Sequence, residues 1–153
     1  MTDERRQKLY SEMEEELSFH LLEEKNPIGN MGIFLSILHY TLPHLTWSGS
    51  YYLKNNSLYL GPFQGIASPA ILDLKNSLVG YCFRSNEIIL VPDEENRPEV
   101  RLSSSFPSEL LVPFYKQQQA KGVIHLLSPE KNSFEKSDGY WISKMLVEFE
   151  RFI

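Results

Sequence analysis

Apolar residues repeat with a helical period at both ends of this chain and with a strand period between them. Leu9, Met13 and Leu17 recur at i, i+4 and i+8, and Phe19 and Leu21 extend the apolar side. This predicts a helix over residues 3–25, with Glu14, Glu15 and Glu16 on its solvated side. Asn26-Pro27 breaks it, because the residue before a proline disfavours the α region. Ile33, Phe34, Ile37, Leu38 and Thr41 predict a second helix over 28–42, ended by Pro43. Trp141, Met145 and Phe149 mark a last helix within 133–153.

The middle of the chain reads as strands. Residues 46–53 are rich in aromatic and β-favouring side chains, and Lys54-Asn55-Asn56 supplies turn chemistry before a returning strand at 57–60. Gly61-Pro62-Phe63-Gln64-Gly65 is expected to leave that strand as a tight loop. A short third strand is expected around Leu72, then a short helix over 76–85 capped by Asn76 or Ser77, then a strand over 87–91. Residues 92–107 carry no period and form the longest loop. Strands at 109–115 and 122–127 follow, separated by a polar turn over 117–121 that Gly122 closes. The order of elements is that of an α+β fold, with helices on a mostly antiparallel sheet.

Composition narrows the function. A formal net charge of −5 lacks the basic footprint of a nucleic-acid binder. No apolar run approaches the roughly 20 residues that span a bilayer, and the charged N-terminus has no secretory h-region. Cys82 is the only cysteine, so neither an internal disulfide nor a cysteine zinc cage can form. A soluble cytoplasmic protein is expected, without membrane or nucleic-acid partners.

Few residues advertise chemistry. His20, His39, His44 and His125 lack metal-ligand spacing, and no phosphate loop or nucleophile elbow is present. The pairs Glu23/Glu24 and Glu94/Glu95 read as solvated. A lone cysteine such as Cys82 reads as a small buried hydrophobe. His125 differs because it interrupts an apolar strand. Period 2 turns it away from Ile124 and Leu126, where a half-buried imidazole needs a partner or a ligand.

One ordered set of residues is more specific. Trp47-x-Gly49-x-Tyr51 is followed by Leu60-Gly61-Pro62-Phe63-Gln64-Gly65, Val91-Pro92-Asp93 and Ser108-Glu109-Leu110-Leu111-Val112-Pro113, then by Gly122-Val123 and Ser128-Pro129. This set resembles the GAF-domain enzymes that reduce free methionine-(R)-sulfoxide, over nearly the whole chain. The resemblance implies one GAF-like domain over 1–153, with leading helices in 1–44, sheet and pocket loops in 45–130 and a C-terminal helix in 133–153. It implies about six antiparallel strands flanked by the N- and C-terminal helices, a pocket on one sheet face and a homodimer.

The family's chemistry needs thiols: one attacks the sulfoxide sulfur, and a second condenses with the resulting sulfenic acid. Aligned on the motifs, the family's cysteine positions fall on Pro69, Val79 and Leu102, and Cys82 is at none of them. The family's glutamate is matched by Glu109, while His125 and Leu127 stand where it carries two aspartates. The aromatic pair Trp47 and Tyr51 is kept. The expectation is a catalytically degenerate GAF domain that binds a small molecule or serves as a sensor or interaction module. Its candidate ligand-binding residues are Trp47, Tyr51, Glu109 and His125, with Ser103–Phe106 as a lid and no cofactor or metal. Two alternatives stand beside it: a reductase of free methionine-(R)-sulfoxide acting through Cys82, and a structural dimerisation protein.

Overall fold

The computed structural model describes residues 1–21, 25–93 and 106–153. Two helices lead the chain, α1 (Asp3–His20) and α2 (Pro27–Thr41). Strands β1 (Trp47–Lys54), β2 (Ser57–Gln64) and β3 (Ile71–Asp73) follow, then α3 (Leu78–Ser85) and β4 (Ile89–Val91). The long hairpin β5 (Ser108–Lys116) and β6 (Gln119–Ser128) precedes α4 (Lys136–Glu148), which a 3-10 turn at Glu150–Phe152 extends. The strands form one antiparallel sheet in the order β3-β2-β1-β6-β5-β4.

Local chemistry sets most of the boundaries. Thr2 caps α1 by accepting from the Arg5 amide, and Asn26 caps α2 by accepting from the Gly29 amide, with Pro27 in the first turn. Ser77 caps α3, accepting from the Gly80 amide at 2.8 Å. Asn55 and Asn56 take positive φ of 50° and 62°, the left-handed pair that a two-residue hairpin between twisted strands needs.

The structure departs from the sequence expectations at several boundaries. β2 does not stop at Leu60 but runs through the expected loop to Gln64. Pro62 is tolerated there because β2 pairs with β3 only over Ser57–Tyr59, and the register to β1 shifts between Gly49 and Tyr51. The chain turns instead at Gly65, at φ +122°. Similarly, the β5–β6 turn is Gln117-Gln118, both at positive φ, so Lys121 and Gly122 lie inside β6. In α1 the buried stripe is Arg6, Tyr10, Met13 and Leu17, and Phe19 points to solvent. Glu23/Glu24, Glu94/Glu95, Leu102 and Ser103–Ser105 of the expected lid lie outside the described residues.

The two sheet faces have different partners. Leu110, Val112, Ile124 and Leu126 face α1, α2 and α4 in the larger core, with Met13, Phe34, Leu38 and Met145 against them. Leu111, Val123 and Leu127 face the other way, with Trp47 and Tyr51, and are covered by Val79 and Cys82 of α3. An ionic cluster ties α1 to α4 at the rim of the larger core. The buried Asp138 carboxylate accepts from the Arg6 guanidinium, from the Tyr10 hydroxyl at 2.9 Å and from the Glu135 amide at 2.8 Å. Burial, reinforced by the Asp138 charge, holds the Tyr10 hydroxyl well above its ordinary pKa. No helix among the described residues is long and apolar enough to cross a membrane.

Candidate functional site

The α3-covered face of the sheet carries the residues that the motifs singled out. Alternation along β1 puts Trp47, Gly49 and Tyr51 on this face, and along β6 it puts Val123, His125 and Leu127 there. Gly49 lies between two partners: His125 on β6 and Phe63 on β2. It leaves space above the sheet, and the indole of Trp47 fills it. A methyl group at position 49 would overlap the six-membered ring of that indole. The ring stacks on Phe63 with centroids 5.8 Å apart, and meets the His125 imidazole edge-on, also at 5.8 Å. Tyr51 completes the wall, its centroid 6.2 Å from Trp47.

Both aromatic walls have their polar tips engaged by backbone. Trp47 Nε1 donates to the Ile66 carbonyl at 2.9 Å, and the Tyr51 hydroxyl donates to the Pro69 carbonyl at 3.2 Å. These bonds fasten the segment after Gly65 to the sheet. They also leave the two rings to act as apolar surface, and burial pushes the Tyr51 hydroxyl up to about 12.

Glu109 and His125 supply the polar chemistry. Glu109 pairs in register with Leu127 and Leu111 with His125, so the two residues are diagonal neighbours on β5 and β6. His125 Nε2 lies 2.8 Å from Glu109 Oε1, with the Glu109 side chain 2% exposed and that of His125 11%. A carboxylate buried this deeply is costly unless paired, and the imidazole is one of its partners.

Cys82 lies in the same apolar cluster but is not presented for reaction. It is fully buried, and its thiol donates to the Glu87 carbonyl at 3.2 Å. Burial pushes the thiol up to about 12, so at neutral pH it is not a thiolate. Val79, one helical turn earlier, is also fully buried. Among the described residues, no group of three or more His, Cys, Asp or Glu side chains could hold a metal ion.

The structure therefore brings Trp47, Tyr51, Glu109 and His125 onto one face, and adds Gly49 and Phe63 to them. Phe63 was within reach of the sequence: once β2 runs to Gln64, Phe63 falls opposite Gly49. A separate groove of about 670 Å³, lined by Ile28, Tyr52, Tyr59, Leu60, Gly61 and Pro62, is almost wholly apolar and lacks converging polar groups.

Comparison with known proteins decides the family. GAF domain-containing protein A of Dictyostelium discoideum is 30% identical over 128 residues, covering 82% of this chain and 80% of that protein. The chain belongs to the GAF-domain family. This GAF domain is also 20% identical to the free methionine-R-sulfoxide reductase of Escherichia coli, over 93% of this chain and 87% of that one. It shares its fold with the free methionine-R-sulfoxide reductase of Neisseria meningitidis, solved in complex with its substrate. That match has a TM-score of 0.87 at 21% identity, over 99% of this chain and 92% of the other. No family model matches the GAF domain described here.

Proposed function

We propose that this GAF domain binds a small molecule over the Glu109–His125 pair and serves as a sensor or interaction module, without thiol chemistry. The observation that carries the reading is that buried pair, 2.8 Å apart beneath an aromatic wall. Apolar walls with a few converging polar groups are the usual make-up of a ligand site. Against the reductase alternative stands Cys82, the only cysteine, which is fully buried and protonated at neutral pH. In this reading the domain works in the cytoplasm as a homodimer, with neither nucleic acid nor membrane as partner. The structural dimerisation alternative has no observation of its own in its favour.

The test is a melting-temperature screen against amino acids, carboxylates, amines and aromatic metabolites, methionine sulfoxide included. A ligand at a hundred times its Kd adds about 2.7 kcal/mol of stability, or roughly 5–10 °C for a domain of this size. The expected result is a hit whose shift disappears in Glu109→Gln and His125→Gln. Hits that survive both substitutions, or none at all, would count against the site.

A further inference from the structure

The groove between α2 and β2 lies apart from the Glu109–His125 pair. Tyr52, which lines it, packs against the larger core on the sheet face opposite α3. Its volume of about 670 Å³ is within the range of small-molecule sites. Two glycines border it, and the protein's own packing explains only one. The Tyr52 hydroxyl bonds Ser50, and the Tyr52 ring lies over Gly61, where a Cβ would come within 2.5 Å of it. Gly61 is therefore required by contact.

Gly32 is not. It stands inside α2, one turn after Ile28, and faces Pro62. Among the described residues a Cβ there would meet Pro62 alone, at 3.9 Å, an ordinary contact. Glycine weakens a helix interior against alanine, and the close approach of α2 to β2 does not ask for it. What a side chain at position 32 would take away is the width of the groove. Ile28, at one lip, is 73% exposed.

We infer that this groove holds the tail of a free, single-chain carboxylate amphiphile, with the carboxylate at the rim beside Lys54. The lining is almost wholly apolar, so the part of a ligand that enters must be apolar too, because a polar group would find no partner there. It follows β2 from Tyr59 to Pro62, about 10 Å of strand, a shape that suits an extended chain. The charged end stays in water at the rim. There the Lys54 ammonium stands 5.9 Å from the centre of the Tyr59 ring. Asp73, further along the sheet edge, turns its carboxylate to the amides of Lys75 and Asn76. The charge at the rim therefore favours an anion. This site goes beyond the reading above and does not rest on it.

The test titrates hexanoate, octanoate, decanoate and decylamine calorimetrically into the full chain, each below the concentration at which it forms micelles. One decanoate per chain is expected, bound more tightly than decylamine. Affinity should rise about fourfold per added methylene, as for a buried CH₂. Lys54→Gln should weaken decanoate about two- to fivefold without weakening decylamine. Gly32→Leu fills the groove and should abolish binding while melting no lower than the wild type. Gly32→Ala, which adds one methyl group with room to spare, should melt higher and bind decanoate more weakly, and it keeps the test decisive if the leucine variant does not fold. Decylamine binding as tightly as decanoate, no dependence on chain length, or undiminished binding in both Gly32 variants would overturn the inference. Binding kept in those variants but lost in Glu109→Gln would also overturn it, by moving the ligand to the α3 face. Absence of saturable binding would overturn it and leave the Glu109–His125 reading untouched. A dimer that Gly32→Leu dissociates would then give the groove to a second copy of the chain.

Discussion

The Glu109 carboxylate and the His125 imidazole meet at 2.8 Å across β5 and β6, on the sheet face that α3 covers. Their contact converts two buried titratable groups into one coupled unit. A double-mutant cycle over Glu109→Ala and His125→Ala is expected to give a coupling of about 1–3 kcal/mol. Each single variant should lose about 3–5 kcal/mol, because it takes a hydrogen-bonded partner away from a buried polar group. Urea melts of the four proteins measure both, and independent effects would show that the pair is not a unit.

Gly49 is required by the indole that lies across it. Its φ is not in question; the constraint is contact, since any Cβ there would overlap the six-membered ring of Trp47. Gly49→Ala is expected to displace that ring from Phe63 and His125 and to cost about 1–3 kcal/mol through overpacking. Near-ultraviolet circular dichroism reads the displacement. A native spectrum with native stability would show that the Trp47 ring is placed elsewhere.

Cys82 is expected to resist alkylation in the folded protein and to react only after unfolding, because it is fully buried and its thiol is pushed from the usual 9 up to about 12. The sign for stability follows. Between pH 9 and about 12 the unfolded chain releases this proton and the folded one retains it. The thiol's contribution is intact below pH 9 and is lost as pH rises towards 12. Denaturant melts at alkaline pH should therefore fall less steeply in Cys82→Ala. Rapid native labelling near neutrality would contradict the burial.

The Arg6–Asp138 contact fastens α1 to α4. Arg6→Met leaves the Asp138 carboxylate buried with Tyr10 and the Glu135 amide and is expected to cost about 3–5 kcal/mol. Lys8→Ala removes only an exposed pair with Glu12 on α1, and should change stability by less than about 1 kcal/mol. Equal losses in the two variants would mean that the buried cluster is not what holds the helix.

Much of this was legible in the sequence, for physical reasons. The switch of period located the helices and strands, and Asn55-Asn56 announced its hairpin because asparagine accepts positive φ. Gln117-Gln118 makes the same turn from residues with no such preference, so the start of β6 was misplaced. Gly61-Pro62-Phe63-Gln64-Gly65 read as a tight loop after a strand ending at Leu60, and a proline such as Pro62 cannot donate to a ladder. Only the register shift beside β1 and the shortness of β3 reveal why it is tolerated. Period 2 put His125 on the correct face, but its partnership with Glu109 depends on the β5–β6 register, which no single strand encodes. Phe19 extended an apolar run on paper, while the helix turns it outward and buries Tyr10 instead.

The central proposal is that this GAF domain binds a ligand without the thiol reaction of the methionine sulfoxide reductases it resembles. Thiol-driven consumption of free methionine-(R)-sulfoxide, measured for the wild type and for Cys82→Ser, tests it most directly. The account predicts no turnover above the thiol-only background in either protein. Turnover in the wild type that disappears in Cys82→Ser would contradict it and make Cys82 a nucleophile despite its burial.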